Sequence, residues 1–276
     1  MRTVLLIAGV LVLLCLGGLA MHFNPHTCSK RIVNSLETES LDAFERCVKK
    51  NKAGINATYS AKIWTNIIET NYYPIHYAVL NGDVDKVKVL IDNGAEIDKL
   101  DPAVQRTPLM FTLGSWHRNR FIVANYLIDN GADVFFEDRY GDTIIEKSTL
   151  VDCRIPDEVH AGAELTKRLI ELTGYGKNYF TKEPLILSAS RNGNNELIDY
   201  LISNRIDDIN AADESGVTAL MMALEKKPFD ENQEEIVKYL LKNGADKSMS
   251  DSDGKTAYDY AVQLKNERII SLLEEN

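Results

Sequence analysis

Asn93-Gly94-Ala95 decides how this chain folds, because the same tripeptide closes two further stretches of helical pattern, at Asn130-Gly131-Ala132 and Asn243-Gly244-Ala245. Before each tripeptide, apolar side chains recur with the period of an amphipathic helix. Glycine directly after the last periodic residue predicts a left-handed C-terminal helix cap. The first two glycines are 37 residues apart and the last two are 113 apart, which leaves room for two more units. One helical unit that recurs at this spacing predicts a repeat solenoid.

A second pattern leads from each unit into the next. An aspartate is followed three residues later by a glycine, which suits the first and fourth positions of a tight turn. Two residues after that glycine comes a threonine, which predicts the N-cap of a short helix. The aspartates are Asp138, Asp213 and Asp251, the glycines are Gly141, Gly216 and Gly254, and the threonines are Thr143, Thr218 and Thr256.

The stretch Tyr73-Pro74-Ile75-His76-Tyr77-Ala78 resembles the ankyrin-repeat signature Thr-Pro-Leu-His-x-Ala, and Thr107-Pro108-Leu109-Met110 resembles it again. Looser matches place further helix starts near residues 143, 184, 218 and 256, with insertions at 114–120, 152–163 and 226–233. The resemblance implies an all-α ankyrin-repeat solenoid of about six to seven helix–turn–helix repeats, with a degenerate N-terminal cap. We expect it to cover residues 36–276, and we expect His76 to have a structural role.

The N-terminus has a different composition. Arg2 is the only charge before an unbroken apolar run from Val4 to Met21. Gly18 and Ala20 would occupy the −3 and −1 positions of a cleavage site, so residues 1–20 are predicted to be a secretory signal peptide and the mature protein to be periplasmic. The run is also nearly long enough to span a bilayer, which leaves an uncleaved membrane anchor facing the periplasm as the alternative.

Two further products of this N-terminus stay open. Lipid attachment at Cys15 would give a lipoprotein, and a start at Met21 would give a shorter cytoplasmic form. Residues 21–35 are predicted to be an extension that acts as a disordered tether. Two interpretations of the cysteines stay open: a disulfide between Cys28 and Cys47 that ties this extension to the capping helix, or Cys47 and Cys153 as small buried apolar residues.

Composition and motifs limit the function. Hydrophobic residues make up 45% of the chain and charged residues 26%, which excludes a disordered protein. The net charge of −10 argues against nucleic acid and anionic membrane surfaces as partners. The sequence contains no Gly-x-Ser-x-Gly, His-Glu-x-x-His or phosphate-loop motif. We therefore expect no catalytic activity, no cofactor, no metal and no small-molecule substrate, but a protein partner.

The resemblance also implies where the partner binds. In ankyrin repeats the fingers and the first helix of each repeat form a concave face, and the register assigns residues to it. The predicted partner-binding residues are Tyr72, Leu80, Asn81, Arg106, Ser115, Trp116, Asp142, Glu183, Arg191 and Lys255. Trp116, Tyr72 and Arg106 are predicted anchors, because aromatic and arginine side chains dominate binding energy at interfaces. The alternative for Trp116 is that it packs the inserted loop onto its own repeat.

An exported acidic chain of this kind resembles the small periplasmic ankyrin-repeat proteins of Gram-negative bacteria. Among these are immunity proteins that neutralise lipase or phospholipase effectors of type VI secretion systems. The resemblance implies a lipase-like toxin as the partner, on the strength of architecture and compartment alone. The alternatives are a periplasmic adaptor or stress-protection factor for an endogenous enzyme, and an enzyme concealed in the divergent segment 143–180.

Overall fold

The computed structural model describes residues 25–62, 69–115, 117–150, 155–176, 181–225 and 231–274. The chain divides into two compact units, Met1–Gly141 and Asp142–Asn276. Within its described residues the first unit contains helices α1 (Pro25–Thr38), α2 (Leu41–Lys50), α3 (Pro74–Leu80), α4 (Val84–Asp92), α5 (Pro108–Leu113) and α6 (Arg120–Asp129). The second contains α7 (Ile144–Ser148), α8 (Pro156–Thr173), α9 (Leu185–Asn192), α10 (Asn195–Ser203), α11 (Ala219–Glu225), α12 (Glu231–Lys242), α13 (Ala257–Leu264) and α14 (Glu267–Glu274).

The predicted helix starts are confirmed. The first helices α3, α5, α7, α9, α11 and α13 each begin one residue after the predicted position, because the predicted residue is the N-cap. Thr143 shows why: its Oγ1 accepts a hydrogen bond from the Glu146 backbone N–H, and the Glu146 carboxylate accepts one from the Thr143 N–H at 2.9 Å. This reciprocal pair satisfies donors that the first helical turn leaves open.

Helix α9 is capped differently, since its N-cap is Pro184. The hydroxyl of Tyr175 accepts a hydrogen bond from the Leu185 N–H at 3.0 Å, and the Asp207 carboxylate accepts one from the Ile186 N–H at 2.8 Å. Tyr175 also donates to Asp207 at 3.0 Å. Side chains distant in sequence thus replace the missing threonine.

The Asn-Gly-Ala caps are confirmed as well. Gly94 has φ +100°, and the Ala95 N–H donates to the Leu90 carbonyl at 2.9 Å. The same bond recurs from Ala132 to Leu127 and from Ala245 to Leu240, at 3.0 Å in each case. A left-handed glycine lets the chain fold back over its own last helical turn.

Each of these caps lies above a buried leucine of the second helix of its repeat. Leu90, Leu127 and Leu240 have no solvent exposure, as predicted from the helical period. Within each unit the core therefore consists of apolar helix faces that neighbouring repeats bury.

The predicted tight turns are also present. The N–H of Gly141, Gly216 and Gly254 donates to the carbonyl of the aspartate three residues earlier, at 2.7 to 2.9 Å. We call the segment from a second-helix cap to the next first helix a finger. Neighbouring fingers are joined by side chains that accept a backbone N–H of the next repeat: Asn56 from Glu96, Asp98 from Asp133 and Asn210 from Asp246.

The first finger is longer than the others and contains strands that the sequence analysis did not predict. Strand β1 (Tyr59–Lys62) pairs with β2 (Glu69–Tyr72) in antiparallel register, with Tyr59 opposite Tyr72 and Lys62 opposite Glu69. The hydroxyl of Tyr77 in α3 donates to the carbonyl of Tyr59 at 2.9 Å. The hairpin is an addition to a helical solenoid.

The predicted tether is wrong, because most of it lies in helix α1. Ile32 and Leu36 of this helix are buried, and the Lys86 Nζ donates to the carbonyl of Leu36 at 2.5 Å. A 3₁₀ turn at Lys52–Gly54 packs so close to Cys28 that a side chain on Gly54 would overlap the Cys28 backbone. The helix is thus the missing first half of the N-terminal repeat.

The predicted Cys28–Cys47 disulfide is not formed, and both residues are thiols. The Cys47 Sγ is directed to the carbonyl of Arg31, at 3.6 Å, whereas Cys28 is buried beside Gly54. The two sulfur atoms therefore serve different contacts. The predicted signal peptide or anchor at residues 1–20, with Cys15, lies outside the described residues; among those described, no helix is long and apolar enough to cross a membrane.

Candidate partner-binding clefts

The second unit has a cleft between α7 and α9, which we call the helix cleft. It encloses about 230 Å³ and brings together three of the predicted partner-binding residues, Asp142, Glu183 and Arg191. Its other lining residues are Glu146, Lys147, Thr149, Leu150, Lys182 and Ser188. Three residues that the repeat register assigns to the binding face therefore line one cleft.

Ion pairs hold one wall of the helix cleft. The Asp142 carboxylate lies 2.9 Å from the Nζ of Lys147 and 3.4 Å from the Nζ of Lys182. Glu146, whose other oxygen caps α7, accepts a hydrogen bond from the Lys182 N–H at 3.0 Å. These groups neutralise one another, so the wall is preformed.

Arg191 lies where α9 meets α11. Its Nη2 contacts the Met222 sulfur at 2.9 Å, and its Nε is 3.7 Å from a Glu225 carboxylate oxygen. Both charged side chains are about half exposed, so this pair is weak. Arg191 therefore keeps part of its guanidinium at the surface.

A second cleft of about 290 Å³ adjoins the first, and we call it the finger cleft. It is lined by Lys182, Glu183, Asp213, Glu214 and Ser215, so Lys182 and Glu183 belong to both clefts. The Asp213 Oδ1 accepts the N–H groups of Ser215 and Val217, each at 2.9 Å. Within the described residues, the carboxylates of Glu183 and Glu214 make no hydrogen bond or ion pair. The finger cleft is thus acidic.

Two of the predicted anchors, Tyr72 and Arg106, have partners within the first unit. Tyr72 is half-buried, with its ring centroid 4.9 Å from that of Phe111 and 5.7 Å from that of Tyr77, and burial raises the pKa of its hydroxyl. The Nε of Arg106 donates to the Asp138 Oδ2 at 2.7 Å, and the Asp138 side chain is fully buried. Both residues thus stabilise the fingers, whatever they contribute to binding.

The remaining predicted residues have different surroundings. Asn81 is exposed and Leu80 is partly exposed, whereas Ser115 is 4% exposed and its carbonyl accepts a hydrogen bond from the Arg120 Nη1 at 3.2 Å. The exposure predicted for Ser115 is therefore wrong, because the arginine folds over it. Trp116 lies outside the described residues. Lys255, in the second unit, pairs with Asp253 at 3.2 Å.

His76 is fully buried between aromatic rings, with its centroid 4.8 Å from that of Phe111 and 5.8 Å from that of Tyr73. Burial disfavours the charged imidazolium and lowers the pKa of His76 to about 4. The side chain is therefore neutral at physiological pH and is part of the core, as expected of a structural residue.

The outer helices α8 and α10 carry a polar group that the sequence analysis missed. His160 Nδ1 lies 2.9 Å from Glu196, and the Lys167 Nζ lies between Glu164 and Glu196 at 2.9 and 2.6 Å. The hydrogen bond with Glu196 raises the pKa of His160. Although His160, Glu164 and Glu196 are close enough to share a metal ion, the ammonium group of Lys167 already bridges the carboxylates.

Comparison with known proteins agrees with this architecture. A family model described as "Ankyrin repeats (3 copies)" matches residues 37–147 and 159–251. The chain is 27% identical over 198 residues to the putative ankyrin repeat protein YahD of Escherichia coli K12, covering 71% of this chain and 92% of YahD. It is 25% identical over 236 residues to the human palmitoyltransferase ZDHHC13, covering 84% of this chain but 34% of that protein. The chain thus spans about a third of the length of that palmitoyltransferase.

Solved structures give the same result. The ankyrin repeat protein EF0377 superposes with a TM-score of 0.53 and 27% identity, covering 72% of this chain and 95% of that one. The family model matches well over half of the residues of the chain. The chain therefore belongs to the ankyrin-repeat family, and its repeats form a protein–protein interaction module.

Proposed function

We propose that this protein is exported to the periplasm, where it binds a toxic lipase-like enzyme and neutralises it as an immunity protein. The observation that carries the binding part is the pair of adjoining clefts in the second unit, whose lining includes predicted interface residues. The apolar run from Val4 to Met21 supports export. The identity of the partner rests on the combination of export, acidity and repeats.

The clefts suit tight binding because they need little rearrangement. Asp142 is already paired with Lys147 and Lys182, so these side chains lose little conformational entropy when a partner arrives. A rigid surface of this kind can cover the mouth of an active site. About 800 Å² on each partner is the usual size of a specific interface, enough to exclude a lipid substrate without any contact to catalytic residues.

Charge supports a basic surface on the partner. The chain has a net charge of −10, and the finger cleft is acidic. Complementary charge raises association rates and excludes wrong partners more than it raises affinity. An immunity protein needs such speed, because it must capture the enzyme before it acts.

Co-expression with the product of the neighbouring gene tests the neutralisation. We expect that product to be toxic when exported alone and harmless when this protein is present in the same compartment. If the product is harmless alone, or stays toxic beside this protein, the immunity function is wrong. A product that is a metabolic or stress enzyme, and that loses activity when this protein is deleted, would favour the adaptor.

N-terminal sequencing of the fractionated protein tests the export. A periplasmic chain that begins near Met21 supports the signal peptide. An intact Met1 in the membrane fraction would show an anchor, and a labelled fatty acid on Cys15 would show a lipoprotein. A chain found only in the cytoplasm would exclude all three and the proposed compartment with them.

A further inference from the structure

We propose that the finger cleft binds an arginine side chain of the partner protein, held between Glu183 and Asp213. This inference rests on the proposed function in that it takes the partner to be a protein, and it names the chemical group that the second unit recognises. The evidence comes from the repeats themselves, since equivalent positions in other fingers are already occupied.

The turn aspartates provide the comparison. In three of the fingers one carboxylate oxygen of the turn aspartate accepts N–H groups of its own turn: Asp138 from Tyr140, Asp213 from Ser215 and Val217, and Asp251 from Asp253 and Lys255. The second oxygen is therefore directed away from the turn and is available to another group.

Two of these second oxygens have donors from the same chain. The Asp138 Oδ2 accepts a hydrogen bond from the Arg106 guanidinium at 2.7 Å, and the Asp251 Oδ2 accepts one from the Tyr260 hydroxyl at 2.8 Å. For Asp213, the described residues offer no donor to Oδ2. A side-chain donor of the same chain thus occupies this position at Asp138 and at Asp251, and the described residues provide none at Asp213.

The residue that would supply the donor has the opposite charge. Arg106 directly precedes Thr107, the N-cap of α5, and Glu183 directly precedes Pro184, the N-cap of α9. Where the first unit has arginine facing the turn aspartate, the second has glutamate in a cleft with Asp213. Like charges leave this place open, and Lys182, the cation that also lines the cleft, is paired with Asp142 at 3.4 Å.

Arginine fits better than other groups. A planar guanidinium can donate to two carboxylates at once, and Glu183, Asp213 and Glu214 all line the same cleft. An apolar side chain would bury these carboxylates without a partner, and an acidic one would add repulsion. The cleft of about 290 Å³ is also smaller than most small-molecule sites but large enough for one long side chain.

The test uses the protein purified as the cell produces it and a random peptide library displayed on phage. We expect the selected peptides to contain arginine. Replacement of that arginine by citrulline, which keeps the shape and removes the charge, should weaken binding about ten-fold or more. Selection of acidic or uncharged peptides, or of none, would overturn the proposal.

Variants of the protein locate the effect. Glu183→Arg introduces an arginine at the position that Arg106 occupies in the first unit, where Arg106 pairs with Asp138. The new arginine should fill the finger cleft and abolish binding of the selected peptides. Asp213→Asn keeps the oxygen that the turn needs and should weaken binding about three-fold or more. Glu235→Arg, at an exposed position of α12, is the matched control for the charge change and should have little effect.

The outcomes separate this proposal from the proposed function. If Glu183→Arg and Glu235→Arg bind the peptides equally, the arginine site is wrong even where the protein still neutralises the neighbouring gene product. If the peptides bind as expected but the gene product is not neutralised, the immunity function is wrong and the arginine site stands.

Discussion

Arg106 and Glu183 hold the same place in their repeats, yet the fingers to which they belong differ. Arg106 donates to the buried Asp138 and closes its finger from within the chain. Glu183 shares a cleft with Asp213, the equivalent turn residue, and has no ion pair within the described residues. The repeat register thus determines which positions face a finger, and the charges at those positions determine whether the finger is closed or left for a partner.

The largest expected effect concerns the core that both units share. Leu90→Ala in the first unit and Leu240→Ala in the second should each lower the free energy of unfolding by about 2–5 kcal/mol, since both leucines are fully buried beneath their caps. Urea denaturation measures this loss of stability, and Leu172→Ala, at a half-exposed position, is the control. Unchanged midpoints would show that the buried face is wrongly assigned.

The next largest expected effect concerns the pH dependence of stability, which should have opposite signs for His76 in the first unit and His160 in the second. The folded-state pKa of His76 is about 4, below the ordinary value of 6.5, so the unfolded chain binds more protons between these values. The contribution of His76 to stability is therefore present above pH 6.5 and is lost as the pH falls toward 4, by up to about 3 kcal/mol. His76→Gln should remove this loss from the pH dependence of the unfolding free energy.

His160 in the second unit should have the opposite sign. Its folded-state pKa is raised by Glu196, so its contribution is present at low pH and is lost as the pH rises through that pKa. The free energy of unfolding of His160→Gln and of the wild type, measured across the same pH range, checks this. A change of the same sign as for His76 would contradict the assigned environments.

A matched pair of isosteric substitutions should separate the two fingers directly. Asp138→Asn leaves the Arg106 guanidinium without its carboxylate partner and should cost about 1–3 kcal/mol. Asp213→Asn should cost less than about 0.5 kcal/mol, because its Oδ1 still accepts the turn N–H groups. Equal losses in thermal unfolding would mean that the Asp213 finger is closed as well.

The smallest expected effect is a gain of stability. Glu183→Arg should raise stability by less than about 1 kcal/mol, since it removes a like charge from Asp213 and allows a partly exposed ion pair in its place. Differential scanning calorimetry against Glu235→Arg measures it. A decrease in melting temperature would show that the second unit cannot adopt the closed arrangement of the first.

The sequence predicts those parts of the fold that depend on neighbouring residues. Thr143 caps α7 through its own backbone and Glu146, and Gly94 caps α4 within one turn, so local patterns were sufficient. The cap of α9 was missed because Tyr175 and Asp207 supply it from other segments. The sequence predicts a tether in place of helix α1, because the buried side chains Ile32 and Leu36 are covered by residues of other segments.

The candidate site was predicted less well for the same reason. Register placed Asp142, Glu183 and Arg191 on one face, and the structure brings them together in the helix cleft. Register alone does not show that Arg106 is already paired with Asp138, which lies in the following finger. A comparison of the turn aspartates from finger to finger would have revealed the difference, because Arg106 and Glu183 have opposite charge.

The most direct test of the account is the dissociation constant of the complex with the neighbouring gene product, measured for the Glu183→Arg and Glu235→Arg proteins. Both variants change the charge equally, but only the first fills the finger cleft. We predict that Glu183→Arg weakens the complex about ten-fold or more while Glu235→Arg changes it less than about two-fold. Equal constants for the two variants would contradict the claim that the open finger of the second unit binds the partner.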